Sequence, residues 1–170
     1  MRMNTRKLTL SALLLASDVL LTRVLAFNTP LMKIGLGFAA VAICAQLYGA
    51  PWAALVAALG DILGSVLFPT GAYFPGFTLT AALTGVIFGL CLHGGQKHWT
   101  RPILAAVLNC VLISYLANSA MIAFITGNSL RSMLAVRAVQ LTVMLPLQSL
   151  VLLWLSRSGF IRRLLAHARQ

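Results

Sequence analysis

Six apolar runs, over residues 8–27, 33–49, 52–68, 77–94, 103–126 and 133–155, take up most of this 170-residue chain. Apolar runs of roughly 18 residues or more read as membrane spans, because about 20 residues rising about 1.5 Å each cross the hydrocarbon. The chain is 60% hydrophobic and 9% charged, more apolar surface than a soluble domain of this length can hide. The expected fold is therefore all-α and integral to the membrane. It is a compact bundle of six transmembrane helices forming one domain over residues 1–170, with no internal repeat or low-complexity tract. Turn formers separate the runs: Asn28–Pro30, Gly49–Pro51, and the stretches 69–76, 93–102 and 126–132. The basic start lacks a small-residue cleavage site, so the first run reads as a span rather than a signal peptide.

The formal net charge is +11. In a soluble chain that would suggest nucleic acid. Here the cations flank apolar spans, so membrane orientation accounts for them and nucleic acid is not an expected partner. Arg2, Arg6, Lys7, Lys97, Arg101, Arg157, Arg162, Arg163 and Arg169 all fall on one side of a six-span layout. The positive-inside rule makes that side cytosolic, with both termini on it. Arg23, Lys33, Arg131 and Arg137 fall at the opposite ends of their runs. Arg23 and Arg137 lie inside the apolar segments, where an unpartnered cation is expensive.

The chain has two acids, Asp18 and Asp61. Two carboxylates cannot neutralise four cations, and the surplus points to a trap for an anion arriving from outside. The plainer alternative is snorkelling to lipid headgroups. Asp61 either pairs with Arg23 or Arg137, or accepts hydrogen bonds from the N–H groups of a ligand. Asp18, five residues before Arg23, points to a local or interhelical pair. Asn118 and Gln140 are expected near the depth of these cations, as ligand contacts or as hydrogen bonds between helices. Asn109, deeper, reads as a link between helices. Pro146 is expected to kink the last helix.

The stretch FPTGAYFPGFTLTAALTGV, residues 68–86, falls on the outer side by this topology. Pro69 and Pro75 stiffen it, and Gly71 and Gly76 allow tight turns. Tyr73, Phe74 and Phe77 offer flat faces to a planar ring, so the stretch reads as a gate rather than an interfacial aromatic belt. Cations and aromatic faces together suggest a flat, negatively charged ligand. Small residues four apart (Ala53, Ala57, Gly60 and Gly64; Ala81, Gly85 and Gly89) predict close helix packing. Ala12 and Ala16 form a similar face on the first helix, near the cytosolic end, open to a partner protein. Cys44, Cys91 and Cys110 have no CxxC spacing and read as small buried hydrophobes. His93, His98 and His167 suit loop or headgroup roles better than metal binding.

The segments RVLAF at 23–27, ALVAALGDILGSVLFPTGAYFPGFTLTAALTGVIFG at 54–89 and ALLLA at 12–16 resemble the folate-specific S components of energy-coupling-factor (ECF) vitamin transporters. The resemblance spans nearly the whole chain. It implies six helices, cytosolic termini, and high-affinity capture of folate or a reduced folate from outside. It also implies association with a transmembrane coupling subunit, EcfT, and two cytosolic ATPases, through small residues such as Ala12 and Ala16. Transport in such systems involves toppling of the S component so that its pocket faces the cytosol. Resemblance and chemistry together put Tyr73, Phe74 and Phe77 over the rings of the ligand. They put its carboxylates among Arg23, Lys33, Arg131 and Arg137, and the pterin edge at Asp61 or Asn118.

The chain carries no GxxxxGK[ST] loop, and two acids do not make the carboxylate relay of a proton-driven carrier. No nucleophile–base pair suggests an enzyme, and no cofactor is expected. The chain should bind and rely on partners to pump. The alternatives are an S component for another flat or anionic vitamin and a stand-alone ion-coupled carrier.

Overall fold

A computed structural model describes residues 5–28, 33–69, 73–94 and 99–158, with side chains at 27, 28, 33, 34 and 136 excluded. Six helical rods account for nearly all of it. The first is α1, Thr5–Val19, running without a break into the π-helical segment π1, Leu20–Val24. Then comes a two-residue antiparallel pair, β1 Phe27–Asn28 and β2 Lys33–Ile34, in the register Phe27↔Ile34 and Asn28↔Lys33. Three helices follow: α2 Gly37–Tyr48, α3 Ala50–Leu67 and α4 Pro75–Leu92. The fifth rod joins α5, Thr100–Leu108, the π-helical segment π2, Asn109–Ala117, and α6, Asn118–Thr126. The last is α7, Leu130–Arg157.

The six expected helices are therefore present, with one local correction. Phe27 and Lys33 leave the helices for the β pair, which shortens the second helix to 12 residues, about 18 Å. Pro146 lies within α7, which continues through it. Local chemistry marks the ends. Gly49, at φ 83°, turns the chain between α2 and α3, a conformation that glycine adopts without steric cost. Gly127, at φ 68°, ends α6 in the left-handed region. Pro75 opens α4, where its missing N–H forfeits nothing. Among the described residues, four helices are long and apolar enough to cross a membrane: Ala50–Leu67, Pro75–Leu92, Thr100–Thr126 and Leu130–Arg157.

The polarity is inverted relative to a soluble protein. Leu90, Phe124 and Trp154 are among the most exposed large hydrophobic residues, whereas Arg137, Gln140 and Gln148 are buried. An apolar exterior around a partly polar interior suits lipid as the outer solvent.

The small residues sit where backbones meet. A side chain on Gly85 would place its Cβ 2.5 Å from the Ala53 carbonyl, and one on Gly89 would overlap the Ala50 backbone. These two glycines seat α4 against the first half of α3. The second half of α3 receives α1 and π1 instead: Gly60 faces the Asp18 carboxylate, and Gly64 faces Arg23, whose Nε would lie 2.8 Å from an added Cβ. The apolar core (Val41, Ala42, Ala45, Ala53, Ala57, Phe88, Leu92, Ala105, Ala106, Leu152 and Leu155) fills the end of the bundle that holds the start of α1 and the finish of α7. At that end Lys7 stands over the rings of Tyr48 and Trp52, at 5.1 and 4.9 Å, and Arg157 lies 3.5 Å from the Trp99 ring. The other end, by the β pair and the Tyr73–Phe74 approach to α4, is hollow.

Candidate functional site: a polar cavity under an aromatic rim

A cavity of about 730 Å3 opens among the rods, within the range of pockets that enclose small ligands, about 300–1,000 Å3. Every rod contributes to its wall. The first brings Asp18, Thr22 and Arg23; α2 brings Gly37, Phe38 and Val41; α3 brings Ala57, Gly60, Asp61 and Ser65. Tyr73, Phe74 and Phe77 form part of the rim, with Thr80 and Thr84 below them on α4. The fifth rod adds Asn109, Ser114 and Asn118, and α7 adds Arg137, Gln140, Met144 and Gln148.

The rim is tied down by a polar chain. Arg23 Nη2 lies 3.3 Å from Asp61 Oδ1, an ion pair whose side chains are 10% and 17% exposed. The Thr78 hydroxyl donates to the other carboxylate oxygen, Asp61 Oδ2, at 2.9 Å. Its one proton is thereby used, so Tyr73 Oη is the donor in the 2.8 Å contact with Thr78 Oγ1. The chain Tyr73–Thr78–Asp61–Arg23 thus runs from the connection at the cavity mouth to π1. Phe74 and Phe77 meet edge to face, 6.1 Å apart at 77°, and the Phe74 ring lies against Gly76, where an added Cβ would come within 2.5 Å of it.

Arg137 is different. It is 6% exposed and donates from Nη1 to the backbone carbonyl of Ser114 at 2.9 Å. Ser114 belongs to π2, where the five-residue hydrogen-bond spacing offsets the carbonyl ladder; π segments of this kind recur at functional sites. Arg137 Nε has no partner among the described residues, and no carboxylate pairs with this cation there. A buried cation so placed is costly unless something brings it negative charge.

Amides and threonines fill the remaining polar wall. Thr80 Oγ1 lies 2.9 Å from Asn118 Oδ1, and Thr84 Oγ1 lies 2.8 Å from Asn109 Oδ1. Deeper still, the Cys110 thiol donates to Gln148 Oε1 at 2.7 Å.

Of the residues expected to bind ligand, Arg23, Asp61, Tyr73, Phe74, Phe77, Asn118, Arg137 and Gln140 all stand in the wall. Arg131 does not: it lies exposed at the start of α7. Among the described residues four cations therefore do not converge on the wall: Arg23 and Arg137 line it, while Arg131, in the first turn of α7, is exposed instead. Lys33 is placed only by its backbone in β2, and Gly71 lies outside the described residues. Arg23 does not pair locally with Asp18; it reaches Asp61 on α3, while Asp18 accepts from the Thr22 hydroxyl at 3.1 Å. Asp61, left open between ion pair and ligand, has both oxygens engaged by protein. Ala12 and Ala16 are exposed on α1, beside exposed Leu8, Leu13 and Leu20.

Sequence reasoning passed over Thr78, Thr80, Thr84 and Gln148. The signal for the threonines was available: three hydroxyls within seven residues of an otherwise apolar helix. Gln148 gave none, because a lone amide in an apolar run is equally suited to facing a neighbouring helix.

Comparison with known proteins agrees with this architecture. The family of ECF-type riboflavin transporter S components matches residues 2–152. A folate transporter FolT from Clostridium novyi (strain NT) is 33% identical over 141 residues, covering 83% of this chain and 82% of that protein. A second FolT, from Leuconostoc mesenteroides, is 29% identical over 153 residues, covering 86% and 82%. The crystal structure of FolT bound with folic acid superposes with a TM-score of 0.85 at 30% identity, covering 90% of this chain and 93% of that one. An inside-out polar cavity, a bundle of six rods and these matches over most of the length lead to one assignment: the chain is a multi-pass membrane protein of the S-component family of ECF-type vitamin transporters.

Proposed function

We propose that this chain is the folate-binding subunit of an ATP-driven ECF importer. It takes folate or a reduced folate from outside and delivers it by associating with the coupling subunit EcfT and two cytosolic ATPases. The carrying observation is Arg137, a buried cation in the cavity wall that pairs with no carboxylate among the described residues. Folate supplies two carboxylates for such a group and flat rings for Phe74, Phe77 and Tyr73. The folate transporters among its relatives support the same reading. In this reading Asn118 and Gln140 contribute polar contacts, and Lys33 and Arg131 steer the anion towards the mouth.

A second vitamin is named by the family description, riboflavin. Riboflavin is flat but has no carboxylate, so it would leave Arg137 uncompensated, and removal of a buried partner charge typically costs about 3–5 kcal/mol. That difference favours folate. The open face of α1 around Ala12 and Ala16 provides the contact for EcfT, since small residues let a second helix approach closely. The termini lie in the cytosol, and energy comes from the ATPases.

The test is isothermal titration of the purified protein with folic acid and with riboflavin. Folic acid should bind at least tenfold tighter. Equal or reversed affinities would overturn the assignment. Uptake by the chain reconstituted alone, without coupling subunits or ATP, would instead support a self-sufficient carrier.

A further inference from the structure

The fifth rod carries an irregularity that the proposed function does not use. The π-helical segment π2, Asn109–Ala117, interrupts an otherwise α-helical span. Its last five-residue bond runs from the Asn118 N–H to the Ile113 carbonyl. Beyond it the spacing returns to four, and such a return leaves one carbonyl over. Ser114 supplies the next carbonyl, and it accepts from Arg137 Nη1 at 2.9 Å. A cation from α7 therefore caps the surplus carbonyl of π2. A buried carbonyl without a donor costs about 1–3 kcal/mol, so this contact holds the π spacing in place.

Beyond the irregularity, the rod leads to the mouth of the cavity. Ile122, Ile125 and Thr126 of α6 stand in the wall. Met121 of α6 reaches the rim: a Cβ on Gly76 would come within 2.8 Å of Met121 Sδ and 2.5 Å of the Phe74 ring. Sulfur and ring thus close on the same glycine, and a turn of α6 about its axis would shift one against the other.

We propose that π2 is a joint operated by the ligand. A ligand carboxylate draws Arg137 from the Ser114 carbonyl. The Asn118 N–H then moves one carbonyl along, from Ile113 to Ser114, four residues back, and the bonds behind it follow. As π spacing gives way to α spacing, α6 turns about its axis and Met121 shifts against the Phe74 rim. A guanidinium prefers a carboxylate, with which it can form two parallel charged bonds, to a neutral carbonyl. The released carbonyl is not stranded, because the α spacing supplies a donor from its own rod. In the empty cavity Arg137 and the Ser114 carbonyl satisfy each other; in the occupied one each has a new partner. Two such arrangements make a bistable element whose balance a ligand tips. This inference rests on the folate reading for its carboxylate.

The test reads the distance between spin labels on Phe124→Cys in α6 and Leu55→Cys in α3. Both positions are exposed and neither lines the cavity. The background carries Cys91→Ala, while Cys44 and Cys110 are buried and stay unlabelled. Saturating folic acid should shift the distance by about 5 Å, the radius of a helix with its side chains. Arg137→Ala, which removes the cap, should show the shifted distance without ligand. Arg137→Lys, which keeps a donor there, should show the unshifted distance when empty. An unshifted distance in empty Arg137→Ala, or in the otherwise wild-type protein with folic acid bound, would overturn the joint. A shift in empty Arg137→Lys as large as in Arg137→Ala would overturn the cap and the joint with it. Should Arg137→Ala not fold, the folate-bound distance decides. Titration of the same labelled protein reads binding separately: absence of binding would overturn the folate reading, and empty Arg137→Ala then decides the joint alone.

Discussion

The carboxylate of Asp18 occupies the notch that Gly60 leaves in α3: a Cβ on Gly60 would collide with Asp18 Oδ2, and one on Gly37 would come within 2.9 Å of Oδ1. An acid from the first rod is thereby clamped between two others, with Thr22 donating to it at 3.1 Å. The first rod carries both the open Ala12–Ala16 face and Arg23, so its seating on α3 bears on docking and on the cavity together.

Gly60→Ala should lower stability by about 1–3 kcal/mol, the usual cost of overpacking, because Asp18 has no room to yield towards Gly37. Thermal unfolding in detergent measures it. A melting temperature equal to wild type would mean that α1 shifts without loss.

Arg137→Ala should weaken folic acid binding at least tenfold, about 1.4 kcal/mol or more. Arg137→Lys should fall between, since an ammonium restores charge but not the planar fork that donates to the Ser114 carbonyl. Titration reads both. An unchanged dissociation constant for Arg137→Ala removes this residue from the site.

Tyr73→Phe deletes the outermost hydrogen bond of the chain Tyr73–Thr78–Asp61–Arg23. Such a bond contributes about 0.5–1.5 kcal/mol net, so folic acid should dissociate roughly two- to tenfold faster, with little change in association. Stopped-flow displacement separates the two rates. A slower association at constant dissociation would contradict a rim that holds the ligand in.

Ala12→Trp and Ala16→Trp should leave folic acid binding unchanged, because both positions are exposed and neither lines the cavity. They should abolish co-purification with the coupling subunit. Recovery of intact complexes would count against docking at this face.

Arg131→Cys should react with a membrane-impermeant thiol reagent added to intact cells, since position 131 is exposed at the cavity end of the bundle. Labelling only after permeabilisation would invert the topology and with it the account of capture from outside.

The membrane class, the number of helices and the glycine and alanine positions where helices meet were all readable from the chain. Run length against bilayer thickness and the exclusion of Cβ atoms from close contacts act locally along a sequence. The same holds for the aromatic rim, because Tyr73, Phe74 and Phe77 are nearly contiguous. Partner choice was not readable. In a soluble helix the polar stripe reveals which face looks inward, but here lipid makes the outer faces as apolar as the core. The sequence carries too little contrast to tell how each helix is rotated. Only the assembled bundle decides that Arg23 meets Asp61 rather than Asp18, that Arg131 stays outside while Arg137 turns in, and that Gln148 ends beside Cys110.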